Sequence, residues 1–266
     1  MNSAGNLRKM DAEIKTVVNY YLPIGDQRIE MNHMLGKTLK LKFTGQINCI
    51  ATGEKISKSY KGGYSFQSMN TLAECDMCMV KPEYCHFDDG TCRDPEWGKA
   101  NCFIPHIVYL SVTSSAKIGI TRERNVPKRW IDQGATEGLP ILRVKDRLTS
   151  GVIEAEIAKT MQDKTNWRKM LKGECDEEID LYSLRDQIYN DFGSLIDEQD
   201  AEDLDREIKK IRYPMIGLPE KIVSLNLDKT PEIKGMLLGI KGQYLIFDTG
   251  VLNLWKYQGY FVELAS

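Results

Sequence analysis

The sequence lacks several features that would place it at once in a familiar class of protein. No apolar run in its 266 residues approaches the roughly 20 residues that a membrane-spanning helix needs. Residues 1–9 contain no apolar segment of the kind that secretory signals carry. The formal net charge is −2, so the chain as a whole has no excess of positive charge for binding nucleic acid. We therefore expect a cytoplasmic protein without a membrane partner, and the sequence leaves its oligomeric state open.

Charge is distributed unevenly along the chain. Residues 117–147 hold eight basic and four acidic side chains, which predicts either a phosphate-binding face or a solvated surface. The basic ones are Lys117, Arg122, Arg124, Lys128, Arg129, Arg143, Lys145 and Arg147. Residues 174–207 hold fourteen acidic and two basic side chains, with apolar residues at three- and four-residue steps. We predict an acidic amphipathic helix there, which either mimics nucleic-acid charge or presents an ordinary solvated face.

Cysteine is clustered. Of the seven cysteines, five fall between residues 75 and 102. In a chain without an export signal, this clustering favours metal binding over disulfides. The candidate ligands are Cys75, Cys78, Cys85, Cys92, Cys102 and His106. We predict a structural zinc site that includes Cys75 and Cys78, with its other ligands open among the remaining four residues; unliganded thiols are the alternative. Structural zinc supplies on the order of 10 kcal/mol of binding free energy to a segment that has few apolar residues.

A second pair of turns has the spacing of zinc ligands without the cysteines. Cys49 and Thr52 form one Cys-x-x-Cys frame, and Ser65 and Ser68 form another. One thiolate cannot hold zinc, so we predict a metal-free remnant of a zinc knuckle. A coincidental polar loop around a buried Cys49 is the alternative.

The centre of the chain has the pattern of a β-hairpin followed by a basic helix. Residues 107–112 and 117–121 are mostly β-branched and apolar, and small, mostly polar residues separate them. Asn125 is placed to cap the next helix, and Pro127 suits its first turn. This arrangement would bring five side chains toward one phosphate: Tyr109, Lys117, Arg122, Arg124 and Arg129.

A strand and a helix are predicted after this hairpin and helix. Residues 138–144 have strand composition, and residues 149–161 place apolar side chains on one helical stripe. The order is therefore strand, strand, helix, strand, helix. The last helix offers two carboxylates, Glu154 and Glu156. Either could bind a metal ion, and an ordinary solvated helix face is the alternative.

Ile107-Val-Tyr109, Lys117-Ile-Gly119 and Arg129 together resemble a divergent GIY-YIG nuclease module. The resemblance implies that the two motifs lie on paired strands and that Arg129 contacts the scissile phosphate. Tyr109 matches the first tyrosine of the family and Gly119 its central glycine. Ile107 stands where the family has its leading glycine, and Lys117 where it has its second tyrosine.

The same resemblance implies a metal-dependent phosphodiesterase chemistry. Glu154, with Ile157 three residues on, matches the metal-binding glutamate of the family better than Glu156 does. It would hold Mg²⁺ or Mn²⁺, while Tyr109 acts as general base and Arg129 stabilises the transition state. The residues expected to contact nucleic acid around this centre are Arg122, Arg124 and Lys128.

A longer set of motifs is similar to an uncharacterised bacterial family that carries a domain of unknown function. These motifs include Cys-Asp-x-Cys, Pro-Glu-x-Cys-His-Phe, Gly-Thr-Cys-Arg-Asp-Pro, Lys-Ile-Gly-Ile-Thr-Arg and Gly-Ile-Lys-Gly-Gln-Tyr-Leu. The similarity spans nearly the whole chain and implies no established activity.

The two ends of the chain read as strands. The N-terminal candidates are residues 12–21, 27–32, 38–44 and 46–50. The C-terminal candidates are residues 221–226, 234–240, 244–247, 251–254 and 260–264. They predict a small antiparallel sheet or barrel, which the N-terminal strands could complete.

We accordingly predict an α+β protein made of five segments. These are a β-rich segment with the degenerate knuckle frame (1–70), a cysteine-rich zinc knuckle (71–106), a GIY-YIG-like module (107–173), an acidic helical segment (174–212) and an antiparallel β segment (213–266). The predicted function is zinc-stabilised binding of nucleic acid, with DNA and RNA equally open. The alternatives are a Mg²⁺-dependent endonuclease and a protein-interaction module that binds no nucleic acid.

Overall fold

The computed structural model describes residues 2–161, 166–175 and 178–266. The backbone forms two compact units, one made of Met1–Asn70 with Arg212–Ser266 and the other of Thr71–Ile211. The described residues form several sheets and six α-helices, which confirms the predicted α+β class. Across this described part of the chain, no helix combines the length and the apolar character needed to cross a membrane.

Fifteen strands and six α-helices follow one another along the described residues. The strands are β1 (Asn2–Asn6), β2 (Asp11–Glu13), β3 (Asn19–Ile24), β4 (Gln27–Glu30), β5 (Thr38–Asn48), β6 (Lys55–Ile56), β7 (His106–Val112), β8 (Ala116–Arg122), β9 (Glu137–Val144), β10 (Glu202–Asp203), β11 (Lys209–Lys210), β12 (Glu232–Lys241), β13 (Tyr244–Phe247), β14 (Gly250–Asn253) and β15 (Tyr260–Ala265). The helices are α1 (Phe66–Thr71), α2 (Pro95–Asn101), α3 (Lys128–Gln133), α4 (Arg147–Ala158), α5 (Trp167–Lys172) and α6 (Leu181–Glu198).

In the first unit, strands from both ends of the chain share one sheet. Its order is β1-β15-β5-β12-β13-β14, and β6 also pairs with β5. β5 is antiparallel to both β12 and β15, so each of its long neighbours comes from the C-terminal part of the chain. Leu39 and Leu41 of β5 are buried and alternate with exposed Lys40 and Lys42, as a strand with one buried face requires. β2, β3 and β4 form a separate sheet.

Two strand predictions near the N-terminus need correction. Residues 12–21 belong to two strands, because the chain reverses direction and Asp11 of β2 pairs with Tyr21 of β3. The two strands expected on either side of Gly45 are one strand, β5. Gly45 has a φ of 90°, a conformation that glycine adopts without a steric penalty, so the strand continues through it.

The strand predicted at residues 221–226 is also corrected. Among the described residues of this segment there is no strand, only an isolated bridge between Ser224 and Val251. The backbone N–H of Val223 donates to the carbonyl of Lys221 in the same segment. This local turn replaces the continuous ladder that a strand needs.

The second unit is built on a sheet of order β10-β9-β7-β8, and β11 also pairs with β9. All seven residues of the central strand β7 are buried. Val108 and Leu110 of β7 belong to one hydrophobic core with Ile153 and Ile157 of α4. Successive side chains of a strand point to opposite faces, so Tyr109 points away from this core.

The elements of the second unit follow the predicted order β7, β8, α3, β9, α4. Asn125 is not the cap of α3, because the residue before a proline is disfavoured in the helical conformation. Val126 is accordingly extended, and Pro127 takes the cap position of a helix that begins at Lys128. α4 begins two residues earlier than predicted because Asp146 caps it.

The acidic amphipathic helix is confirmed as α6, which is capped by Asp180. Its apolar side chains Leu181, Ile188 and Ile196 are buried in the core of the second unit. Residues 162–165 of the expected module and residues 176–177 of the acidic segment lie outside the described residues.

Candidate functional site

A cleft of about 450 Å³ opens between β8, α3, α4 and the cysteine-rich turns of the second unit. Its charged lining is formed by Lys117, Arg122, Arg129, Arg147 and Glu154. Four cations therefore face a single carboxylate, which gives the cleft a formal charge of +3 before any ligand binds. Tyr109 and Gln133 supply neutral polar groups to the same cleft.

Tyr109 is held in place at the centre of the module. Its side chain is 1% exposed, and its hydroxyl donates to Oε1 of Gln133 over 2.9 Å. Burial raises the pKa of Tyr109 to about 12, although the charge of Arg129 opposes the shift. The hydroxyl is therefore protonated at neutral pH.

Gly119 is required by the position of the Tyr109 ring. The two residues face each other across the β7–β8 pair. A Cβ added at Gly119 would lie 2.8 Å from both Cζ and the hydroxyl oxygen of Tyr109. The ring thus occupies the space of a side chain, and the motif residues Tyr109 and Gly119 form one packing unit.

The structure separates the two candidate glutamates of α4. Asp146 begins the helix by accepting a hydrogen bond from the N–H of Thr149 over 2.8 Å. A helix that begins at this point turns Glu154 toward the cleft, where its charge acts on Tyr109 and Arg147. Glu156 instead forms an ion pair with Lys159. The cleft carboxylate is therefore Glu154.

The three basic residues expected to contact nucleic acid lie in different places. Arg122 lines the cleft, and its Nε donates to the carbonyl of Asn101 over 2.7 Å. Burial lowers the pKa of Arg122, and the neighbouring charge of Arg147 adds to the effect. Arg124 is exposed and donates to Oδ1 of Asn101. Lys128 is the first residue of α3 and is half-buried outside the cleft lining.

Gln133 is a cleft residue that sequence reasoning did not select, and Arg147 was counted only in the basic group of residues 117–147. Arg147 is seven residues before Glu154 on α4, and Gln133 is four residues after Arg129 on α3. These helical spacings place each pair on one face and are the signal that could have identified both. Nη2 of Arg147 donates to the carbonyl of Met79 over 2.8 Å. Burial lowers the pKa of its guanidinium, while thiol and carboxylate neighbours oppose the shift.

A separate small cavity collects four of the six predicted metal ligands. Cys78, Cys85, Cys92 and Cys102 all line a space of about 20 Å³ in the second unit. Burial and the nearby charge of Asp76 raise the pKa of the Cys78 thiol to about 11. We call this space the cysteine cavity.

Cys75 and His106 are not brought to the cysteine cavity. Cys75 is buried at the end of a 3₁₀ turn and is not among the residues that line the cavity. His106 is fully buried at the start of β7, where Nδ1 lies 2.7 Å from the carbonyl of Ile104. Burial lowers the pKa of His106 to about 4, so its imidazole is neutral at pH 7.

A mixed group of side chains beside the cavity could also hold a metal ion. The group consists of Asp76, Cys78 and His86. Each offers one ligand atom, and the three atoms lie within 4.8 Å of one another. Asp76 is 2.7 Å from Nε of Arg93, and Nδ1 of His86 is 2.7 Å from the hydroxyl of Thr91. The sequence analysis selected neither Asp76 nor His86, because their approach depends on the folding of three consecutive turns.

The Cys49 frame of the first unit is assembled by hydrogen bonds. Cys49 Sγ lies 3.4 Å from the hydroxyl of Ser68 and accepts from the N–H of Ser65 over 3.3 Å. The Ser65 hydroxyl donates to that of Ser68 over 2.9 Å. Burial raises the pKa of the Cys49 thiol, but hydrogen bonds with Ser68 and Thr52 outweigh burial and lower it to about 6. The four residues of the two turns therefore converge.

Comparison with known proteins gives a match over most of the chain. A family described as "Protein of unknown function (DUF2797)" matches residues 36–262. Neither the curated proteins nor the solved structures give a match. The family description assigns no chemistry, so the cleft and the cysteine cavity are the basis for a functional argument.

Proposed function

The chain belongs to this family of proteins of unknown function, and we propose that it binds nucleic acid through phosphate groups in the cleft. The observation that supports this proposal is the convergence of Lys117, Arg122, Arg129 and Arg147 in one concavity. Guanidinium groups make paired hydrogen bonds to phosphate oxygens, and a lysine adds a point charge. A phosphodiester carries one negative charge per nucleotide, so two or three successive phosphates match the charge of the cleft.

Burial of two arginines strengthens the case for an anionic ligand. Nη2 of Arg122 and Nε of Arg147 have no hydrogen-bond partner among the described residues. Taking a guanidinium out of water is unfavourable unless it is paired. A phosphate bound beside these groups would offset that cost. The partner remains open between DNA and RNA, since contacts to phosphates distinguish neither base nor sugar.

Hydrolysis of the bound phosphodiester is the second candidate, and the position of Glu154 favours it. Glu154 shares the cleft with Tyr109 and Arg129, the set that the GIY-YIG resemblance implies. Among the described lining residues it is the one carboxylate, and Mg²⁺ is commonly bound by one or two carboxylates together with substrate phosphates and water. Mg²⁺ or Mn²⁺ held there would polarise the phosphoryl oxygen.

The roles of the protein side chains in hydrolysis follow from their contacts. Arg129 would make hydrogen bonds to the non-bridging oxygens as charge builds on them. Tyr109 lines the same cleft, where the charge of Arg129 acts on its hydroxyl. With a pKa of about 12, Tyr109 remains protonated at neutral pH and is a weak candidate for the general base. This raised pKa is why binding is the first proposal and hydrolysis the second.

A structural metal ion completes the proposed protein. The Cys/Asp/His group beside the cysteine cavity supports metal binding in this segment, and we assign the ion as zinc because thiolates dominate the surroundings. Zinc would act as a scaffold for the turns that form one wall of the cleft.

Binding is tested with labelled single- and double-stranded DNA and RNA in a salt titration. Neutralising two or three phosphates should make the logarithm of the association constant fall with the logarithm of salt concentration at a slope of about −2 to −3. Arg129→Gln and Lys117→Gln should each weaken binding and reduce this slope by about 1. Lys99→Gln is the matched control, because Lys99 is exposed and paired with Glu96 away from the cleft.

Two results would contradict the binding proposal. One is no binding at about 50 mM salt, where electrostatic contacts are strongest. The other is equal loss in Arg129→Gln and Lys99→Gln, which would indicate a diffuse charge effect. Arg124→Gln tests the boundary of the site, since Arg124 is exposed outside the cleft. It should bind as the wild type does.

Hydrolysis is tested with Mg²⁺ or Mn²⁺ on the nucleic acid that binds. Glu154→Gln should abolish cleavage without abolishing binding. Glu156→Gln is the matched control on the same helix, because Glu156 faces Lys159 instead of the cleft. Cleavage that is absent from the wild type, or that survives Glu154→Gln, would remove the second candidate and leave the binding proposal in place.

A further inference from the structure

The cysteine cavity has the composition of a closed metal site. Four thiols, from Cys78, Cys85, Cys92 and Cys102, line one space of about 20 Å³. That volume is close to what one water molecule occupies, so an ion fits and a substrate does not. We propose that these four cysteines bind one tetrahedral zinc ion as a structural site. This inference develops the zinc part of the proposed function and does not depend on nucleic-acid binding.

The protein itself ties together the turns that carry the four thiols. Asp76, two residues before Cys78, pairs with Arg93, the residue after Cys92. His86, next to Cys85, contacts Thr91, next to Cys92. The third cysteine turn is thus joined to the first and to the second by contacts between residues one or two positions from the thiols.

Helix α2 brings the fourth thiol to the same place. Asp94 accepts a hydrogen bond from the N–H of Trp97 over 2.9 Å and begins the helix two residues after Cys92. Cys102 follows the last turn, and its N–H donates to the carbonyl of Gly98. A Cβ added at Gly98 would lie 3.5 Å from Cys92 Sγ, so the helix packs directly against that thiol.

Among the described residues, Asp76, Cys78 and His86 have ligand atoms within 4.8 Å of one another, whereas no three of the four thiol Sγ atoms lie that close. The turns must therefore draw together when the ion binds. The four-thiolate set is still the better fit for a structural ion. Three ligands leave zinc an open position, which is the arrangement of a catalytic site, whereas a structural site is closed by four. The carboxylate of Asp76 is already paired with Arg93 over 2.7 Å. Asp76 and His86 fit instead as the outer partners that orient the loops carrying the ligands.

The proposed site is linked to the cleft through Arg147. The backbone N–H of Arg147 donates to the carbonyl of Cys102 over 2.9 Å. Its guanidinium donates to the carbonyl of Met79, the residue after Cys78. Met79 itself lines both the cysteine cavity and the cleft. Zinc bound to the four thiols would therefore stabilise the two hydrogen bonds, to Cys102 and to Met79, that position Arg147 in the cleft.

Zinc content and thiol protection of the wild-type protein test the ligand set directly. Protein purified without added metal should contain close to one zinc per chain. Alkylation followed by mass spectrometry should find Cys78, Cys85, Cys92 and Cys102 protected, and chelation should expose all four together. Cys175 is exposed and should react before and after chelation. Protection that does not change on chelation, or a protein without zinc, would overturn the proposal.

Single substitutions distinguish the two ligand sets. Cys92→Ser and Cys102→Ser should each lower zinc content by tenfold or more. Cys75→Ser is the matched control, because Cys75 is buried outside the cavity, and it should keep the ion. His86→Ala should also keep it. Loss of zinc in His86→Ala with retention in Cys92→Ser would overturn the four-thiolate site in favour of the mixed one.

Cobalt substitution keeps the test decisive if a cysteine variant fails to fold. Co²⁺ added to zinc-free wild type should give the intense charge-transfer absorption of several thiolate ligands in a tetrahedral field. Absorption that indicates one thiolate among oxygen and nitrogen ligands would contradict the proposal. These readouts involve no nucleic acid, so a protein that binds zinc and no nucleic acid would refute the proposed function alone.

Discussion

Replacing Gly119 by alanine gives a sharp test of how the centre of the module is packed. The new Cβ would lie 2.8 Å from Cζ and from the hydroxyl oxygen of Tyr109, well inside ordinary van der Waals contact. Tyr109 cannot move aside freely, because it is fully buried and its ring packs edge-on against Trp130 with 5.6 Å between centroids. Overpacking of this kind costs about 1–3 kcal/mol.

A displaced Tyr109 would also lose its hydrogen bond to Gln133. Loss of one such bond costs about 1 kcal/mol, so Gly119→Ala should lower the free energy of unfolding by about 2–4 kcal/mol. Urea unfolding followed by circular dichroism and by tryptophan fluorescence measures this change. The cleft should bind nucleic acid more weakly in the same variant, since a displaced Tyr109 changes the cleft lining that it shares with Arg129.

Two further variants control for the alanine itself. At Gly193 in α6 no described heavy atom lies within 4 Å of an added Cβ, so Gly193→Ala should stabilise the helix by up to about 1 kcal/mol. Combining Gly119→Ala with Tyr109→Leu should cost less than the sum of the single changes by about 1 kcal/mol or more. A Gly119→Ala protein within about 0.5 kcal/mol of the wild type would refute the packing argument.

Three other outcomes follow from the structure. Gly151→Ala should destabilise the second unit by about 2 kcal/mol or more in urea unfolding, because the added Cβ would lie 2.4 Å from Cβ of Pro82; unchanged unfolding would contradict that contact. The pKa of buried His106 is lowered from 6.5 to about 4, so the unfolded chain takes up this proton first as the pH falls. The free energy of unfolding should therefore fall by up to about 3 kcal/mol when the pH is lowered from 6.5 to 4. His106→Gln should flatten that part of the pH profile, and an equally steep profile in the variant would assign the loss to other groups. Adding three thiols around Cys49 should raise zinc content from about one ion per chain to about two, and unchanged content would show that the frame cannot close around an ion. The substitutions are Thr52→Cys, Ser65→Cys and Ser68→Cys.

Local patterns predicted the centre of the candidate site well. The hairpin was predictable because β-branched residues alternate with a short polar turn, and the pairing of Tyr109 with Gly119 follows from its register. From the sequence, Glu154 could be preferred to Glu156 as the metal ligand only through the resemblance to the GIY-YIG family. The structure separates them through the cap at Asp146, which shifts the start of the helix by two residues. The first residue of a helix cannot be predicted to within two residues from composition.

Features that depend on distant parts of the chain could not be predicted. The Cys-x-x-Cys spacing suggested that Cys75 and Cys78 act together, yet Cys78 lines the cysteine cavity with three cysteines from later turns and Cys75 does not. Arg147 becomes a cleft residue because Cys102 and Met79 hold it there. Neither contact has a local signature, since each joins segments that are far apart in sequence. The prediction that N-terminal strands complete the C-terminal sheet is confirmed by the pairing of β5 with β12 and β15, but which strands pair has no local signature either.

That strand pairing bears on the order in which the protein is made. The second unit is a continuous segment, Thr71–Ile211, whose strands find all their partners within it. Chains emerge from the ribosome N-terminus first, so this inserted unit can fold while β12 and β15 are still unmade. The first unit cannot complete its sheet until synthesis reaches the last strand.

During that interval most of β5 has no partner strand on either edge, because only the short strand β6 among its sheet neighbours has been made. Unpaired strand edges are templates for association between chains. Its outward side chains include Lys40 and Lys42, which later pair with Glu232 and Glu263 of the strands that arrive on either side. Until then these lysines stand as uncompensated charges beside an open edge, where like charges on two nascent chains repel. Lys40 and Lys42 therefore have two roles. They form ion pairs in the finished sheet, and they oppose association of β5 with other chains before the C-terminal strands have been made.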